Sequence, residues 1–182
     1  MTSGRWTRRS ALVLGLSVLG LGLGVERAPA GVSAVTLGGL RFDVPTAVQP
    51  AARVPGVTRP WPWQGLTPGA TGSAPATVVL ARADLDSTDP EEVLGLLLAG
   101  TSGGQLPGLL LEPRRTRTLG GDRGDQVRID LSYQASPALR YRGTLMVLTR
   151  PRPPAAVLVV LGNDDLTAGN VDFVLDSARW TA

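Results

Sequence analysis

No cysteine, histidine or lysine occurs among the 182 residues, so all 18 basic residues are arginine. Without Cys and His there is no zinc site of the usual ligands, no disulfide scaffold, and no Cys-His or Ser-His catalytic pair. Without Lys there is no Schiff-base chemistry and no phosphate-loop lysine. The lack of His also removes the side chain whose ordinary titration gives a switch near pH 6. Aromatics are scarce at 4%, including only four Trp. The main reading from what remains expects no metal, no cofactor and no catalytic residue.

The net charge of +3 is concentrated at one end. Arg5, Arg8, Arg9 and Arg27 face a single acid, Glu26, and beyond residue 30 there are 14 Arg against 14 acidic residues. A neutral body lacks the electrostatic footprint of a nucleic-acid-binding protein.

Arg5, Arg8 and Arg9 precede an apolar and small run from Ala11 to Val25, which ends at Glu26-Arg27 and Ala28-Pro29-Ala30. Charged, apolar and A-x-A segments in that order predict a secretory signal peptide over residues 1–30, with the mature chain beginning at Gly31. A cut after Ala34 is second choice, because Val32-Ser33-Ala34 also fits. At 15 residues the run is short of the roughly 20 that cross a bilayer. An uncleaved anchor is the alternative, and no stable membrane span is expected once the signal is removed. Arg8-Arg9 and a Gly-rich apolar segment leave both the Sec and the twin-arginine routes open. The expected location is extracytoplasmic, periplasmic or secreted.

Residues 31–182 suit one domain. The stretch 46–76 holds six of the 15 Pro and reads as a long irregular loop. Leu40 to Pro45 alternates and stops at Pro, as a strand does, and Thr77 to Ala83 is a second, more buried strand. Asp89-Pro90-Glu91-Glu92 is a helix start, with an acid at the cap, Pro at the first position and Glu at the third. From Arg114 the period is two. Gln126 to Tyr133 and Leu139 to Arg150 each place apolar residues on one side and polar residues on the other. Ala155 to Leu161 is continuously apolar, as in a central strand covered on both faces. Val171, Val174, Leu175 and Ala178 fall at helical spacing, with Trp180 closing that face. The expectation is an α+β domain: an antiparallel sheet of six to seven strands flanked by two helices.

With its Phe42-Asp43-Val44-Pro45 opening strand, Asp-capped helix, antiparallel meander and closing Leu175-Asp176-Ser177-Ala178-Arg179-Trp180, the chain resembles the PsbP-like superfamily, whose bacterial members include the LpqN and DcrB types. The resemblance spans roughly residues 36 to 181. It implies an antiparallel sheet flanked by helices and an extracytoplasmic accessory or binding role without a shared catalytic site.

Arg115, Arg117, Arg128, Arg140 and Arg142 share the outward side of the meander, a surface for an acidic envelope protein or polymer. The plainer reading is a solvated face with cross-strand pairs to Asp130 and Glu112. On either reading, changing Arg128 and Arg140 to Ser should leave folding intact. Trp61 and Trp63 make a stacking platform if exposed, or pin the long loop to the core. The competing function is a metal-dependent phosphohydrolase. Asp84-Leu85-Asp86-Ser87-Thr88 after an apolar strand matches the D-x-D-x-T of haloacid-dehalogenase-type enzymes, with Asp84 as nucleophile, Asp86 as proton donor and Asp164-Asp165 near a magnesium ion. That fold requires a parallel sheet and commonly a Lys, which this chain lacks, and acids placed in turns are the preferred account of the four Asp. Arg123-Gly124-Asp125 reads as a hairpin turn rather than an adhesive motif.

Overall fold

The structure is a computed structural model that describes residues 31–57, 61–68, 74–102, 109–111, 125–163 and 168–181. Among the described residues, ten strands and two helices follow in the order β1 (Val32–Leu37), β2 (Leu40–Pro45), β3 (Gln49–Pro50), β4 (Trp63–Leu66), β5 (Thr77–Leu85), α1 (Pro90–Ser102), β6 (Leu109–Leu111), β7 (Asp125–Ser136), β8 (Leu139–Thr149), β9 (Ala155–Gly162), α2 (Ala168–Ser177) and β10 (Arg179–Trp180). Seven strands form one sheet in the order β3-β4-β5-β9-β8-β7-β6, and β1-β2-β10 form a second. Every strand pair is antiparallel. The α+β class and the strand number of the main sheet match the sequence expectation.

Strand β9 sits fourth of seven, and all eight of its residues are buried. Its apolar run is that of a strand with a layer on each side. On one side α1 brings Val93, Leu94 and Leu97 onto Val78, Leu80, Leu145, Val157 and Val159. On the other, α2 contributes Val171, Val174 and Leu175, and β2 contributes Leu40, Phe42 and Val44, over Val79, Ala81, Met146, Leu148, Leu158 and Val160. Each fully buried aliphatic side chain is worth about 1.5–3 kcal/mol, so this double layer is the main source of stability.

The start of α1 is built as its sequence requires. Asp89 Oδ1 accepts the Glu91 N–H at 2.9 Å, and the Asp89 carbonyl accepts Val93 N–H at 3.1 Å. Glu92 does not reach back to the cap. The Asp89 N–H instead donates to Ser87 Oγ, whose hydroxyl donates to Glu92 Oε2 at 2.7 Å.

Three expectations are corrected. The 46–76 stretch contains β3 and β4 rather than only loop. Trp180 is not in the closing helix: α2 ends where Ser177 Oγ donates to Val174 O and accepts the Asp43 N–H at 2.8 Å, and Trp180 pairs with Leu40 in β10. The meander does not leave one side to water along its length, because α2 and the three-stranded sheet bury Gln126, Arg128, Met146 and Leu148 on the side taken as outward. The period-two polarity is present, but polarity on β7 does not amount to exposure.

Close approach explains Gly143, midway along β8. A Cβ there would collide with the carbonyl oxygen of Val160 on β9.

Candidate functional site

Register places the arginines. On β7 and β8, Gln126, Arg128, Asp130 and Ser132 are opposite Leu148, Met146, Thr144 and Arg142, and directly opposed residues share a face. Arg140 is opposite Gln134 on the same side. Arg128, Arg140 and Arg142 therefore do lie on one face, as the sequence indicates, but in different surroundings.

Arg128 lies under α2 and is only 7% exposed. Its Nη2 donates to Asp176 Oδ1 at 2.6 Å and to Gln126 Oε1 at 3.3 Å, and its Nη1 is 3.6 Å from Asp172 Oδ1. Asp172 and Asp176 are one helical turn apart, so α2 presents both to the guanidinium. This corrects the expectation of an exposed Arg128, since a cation beneath a helix persists only when paired.

Arg140 and Arg142 are exposed. Arg140 Nη2 donates to Ser132 Oγ at 2.8 Å, and Thr144 Oγ1 donates to Asp130 Oδ1 at 3.0 Å. Neither Arg140 nor Arg142 pairs with a carboxylate among the described residues. Arg142 and Thr77 both oppose Gly162, on its two sides. Thr77 is also a wall of a crevice of about 140 Å³, which Val48, Thr67, Val160, Asn170 and Val174 complete at the start of α2. Two guanidinium groups that no carboxylate among the described residues matches thus share one sheet face with a small, mainly apolar recess.

The tryptophans divide between the layers. Trp61 is 7% exposed and packs in the α1 layer, with its backbone N–H donating to Gln64 Oε1 at 3.3 Å. Trp63 is half-buried in the opposite layer, edge-on to Phe42 at 5.3 Å between ring centroids. With the rings on opposite sides of the sheet there is no joint platform, and the reading that they pin the loop to the core is the one realised.

Asp84 is at the exposed end of β5, where Arg82 Nε and Nη2 donate to its two carboxylate oxygens at 2.8 and 3.0 Å. These hydrogen bonds, with the Arg82 charge, hold its carboxyl below the usual carboxylate range despite some desolvation. Asp86 is exposed in the turn before α1. Asp164, Asp165, Glu112, Arg115, Arg117 and Arg123-Gly124 lie outside the described residues.

The sequence reading missed a cluster at the other end of the Arg128 face. The Arg150 guanidinium carbon lies 4.4 Å from the centroid of Trp180, a cation–π contact. Arg150 follows the buried Leu148 by two residues, and Leu148 opposes Gln126.

No family model and no curated protein matches the chain. A crystal structure of a protein from Bacteroides thetaiotaomicron VPI-5482 is similar over 81% of this chain, with 10% identity and a TM-score of 0.44. The chain spans about half of that protein, 47% of its length. A likeness of this size carries no argument about function.

Proposed function

We propose that this chain is an exported, non-enzymatic binding protein of the cell envelope whose docking face is the β7–β8 strip carrying Arg140 and Arg142. One observation carries this reading: both guanidinium groups are exposed and unmatched by a carboxylate among the described residues, on the same strand face as the recess at the start of α2. Such a surface suits an acidic protein segment or an anionic envelope polymer, because guanidinium forks bind carboxylate and phosphate oxygens in pairs. The PsbP-like element order supports the same accessory role, and the N-terminal charge and apolar pattern supports export. On β5, antiparallel pairing on both sides and the Arg82 clamp on Asp84 favour binding over phosphoryl transfer, which needs a nucleophilic carboxylate free to attack.

The test is capture of partners from the native envelope fraction by the purified protein and by its Arg140→Ser, Arg142→Ser double variant. The parent is expected to retain an acidic component that the variant loses, more clearly at low salt. Equal capture by both would overturn the assignment of this face. Magnesium-dependent hydrolysis of a phosphomonoester that Asp84→Asn abolishes would overturn the non-enzymatic reading.

A further inference from the structure

Four buried donors on the Arg128 face, Gln126 Nε2, Arg128 Nε, Arg150 Nε and Trp180 Nε1, have no acceptor among the described residues. They belong to neighbouring groups. Gln126 and Arg128 are hydrogen-bonded to each other, Arg150 stacks on Trp180, and the Gln126–Leu148 pairing sets Arg150 diagonal to Gln126 on the same face. Gln126 is 1% exposed and Arg128 7%, so they are the deeper pair, whereas Arg150 and Trp180 are half-buried side chains whose donor nitrogens are buried. The Gln126 amide orientation is fixed, because its oxygen accepts from Arg128 and its nitrogen must then face away. Buried donors normally find partners, and an uncompensated set points to an absent acceptor group. Arg150 also makes no ion pair among the described residues.

We propose that Gln126, Arg128, Arg150 and Trp180 form a carboxylate-binding site, separate from the Arg140–Arg142 strip. The inward Nε edge of Arg150 supplies one side of a guanidinium–carboxylate fork, and the amide and indole N–H groups reach the remaining lone pairs. Four lone-pair directions on one carboxylate match four donors. The carboxylate comes from a small free acid or from the C-terminus of a peptide.

The probes are acetate, triglycine and C-amidated triglycine, titrated into the full-length chain while the Trp indole and Gln side-chain N–H resonances are followed, with sodium chloride as the ionic-strength control. Trp180→Phe identifies the Trp180 indole signal. Saturable shifts of the Trp180 indole and Gln126 amide are expected with acetate or triglycine but not with chloride. Arg150→Gln should weaken them at least tenfold. Gln126→Glu supplies an acceptor from within, and is expected to abolish the response without lowering the melting temperature. Equal affinity for acetate and triglycine assigns a small acid. Tighter binding of triglycine, lost on amidation, assigns a chain end. No saturation with either probe, or saturation that persists unchanged in both Arg150→Gln and Gln126→Glu, overturns the proposal.

Discussion

Arg128 and Asp176, from the first third of β7 and the last turn of α2, meet at 2.6 Å across the boundary between sheet and helix. Asp176 is half exposed, whereas the arginine is not. The pair is therefore asymmetric. Removing Arg128 takes away charge-assisted hydrogen bonds and side-chain packing, whereas removing Asp176 leaves a buried cation facing a more distant Asp172.

Arg128→Ser is expected to lower unfolding free energy by about 2–4 kcal/mol. Arg140→Ser, at an exposed site, should change it by no more than about 0.5–1 kcal/mol. Chemical denaturation of the two single variants checks this. Similar midpoints for both would show that α2 gains nothing from the pair.

Tyr133 and Tyr141 oppose each other on β7 and β8, both 1% exposed, but only Tyr141 donates its hydroxyl, to Pro75 O at 3.0 Å. The Tyr133 hydroxyl is buried and unpartnered, beneath the turn at Gly56. Tyr141→Phe should cost about 1 kcal/mol, whereas Tyr133→Phe should be neutral or stabilising. Thermal unfolding of each variant decides between these outcomes.

The same two phenols set the alkaline limit. Burial raises both above the ordinary value of 10.0, and for Tyr133 the neighbouring Tyr141 adds to it. The unfolded chain therefore releases these protons at lower pH than the folded one. Their contribution is intact below about pH 10 and is lost as pH rises through the folded values. A Tyr133→Phe, Tyr141→Phe double variant should show a shallower fall in stability above pH 10 than the parent. Parallel curves would refute the assignment.

Gly143→Ala is expected to destabilise by at least the upper part of the ~1–3 kcal/mol typical of overpacking, because the new methyl meets strand backbone rather than a movable side chain. Gly95→Ala, on α1 with open space around it, should instead stabilise by about 0.5–1 kcal/mol. Comparing their unfolding midpoints tests both.

What could be read from the sequence was what a few adjacent residues decide. The α1 cap is set within Ser87 to Val93, and the alternation on β7 and β8 fixes which side chains share a face. Period two states the side but not what covers it. The cover over Arg128 comes from α2, 48 residues away in the chain. The Asp172 and Asp176 spacing was visible as two acids on one helical face, but which of 14 body arginines they meet was not. In Val32–Leu37 only Val35-Thr36-Leu37 alternates, and the small residues before it were read for their cleavage motif. Trp61 and Trp63, two apart, would share a face within a strand. The strand begins only at Trp63, so Trp61 turns to the opposite layer.

The second sheet has a kinetic consequence. Strand β2 is clasped on one side by β1 and on the other by β10, and the Thr181 N–H and hydroxyl both donate to Gly39 O, 142 residues earlier. A nascent chain can form the meander while it is still being made, but it cannot close this clasp until Arg179 to Thr181 have been added. Closure across so long a separation is slow relative to local pairing. Throughout that interval Leu40, Phe42 and Val44 lack their α2 partners, and the waiting chain shows a sticky, half-covered sheet. The incompletely closed chain is then open to aggregation through that apolar surface, which a chaperone would have to cover.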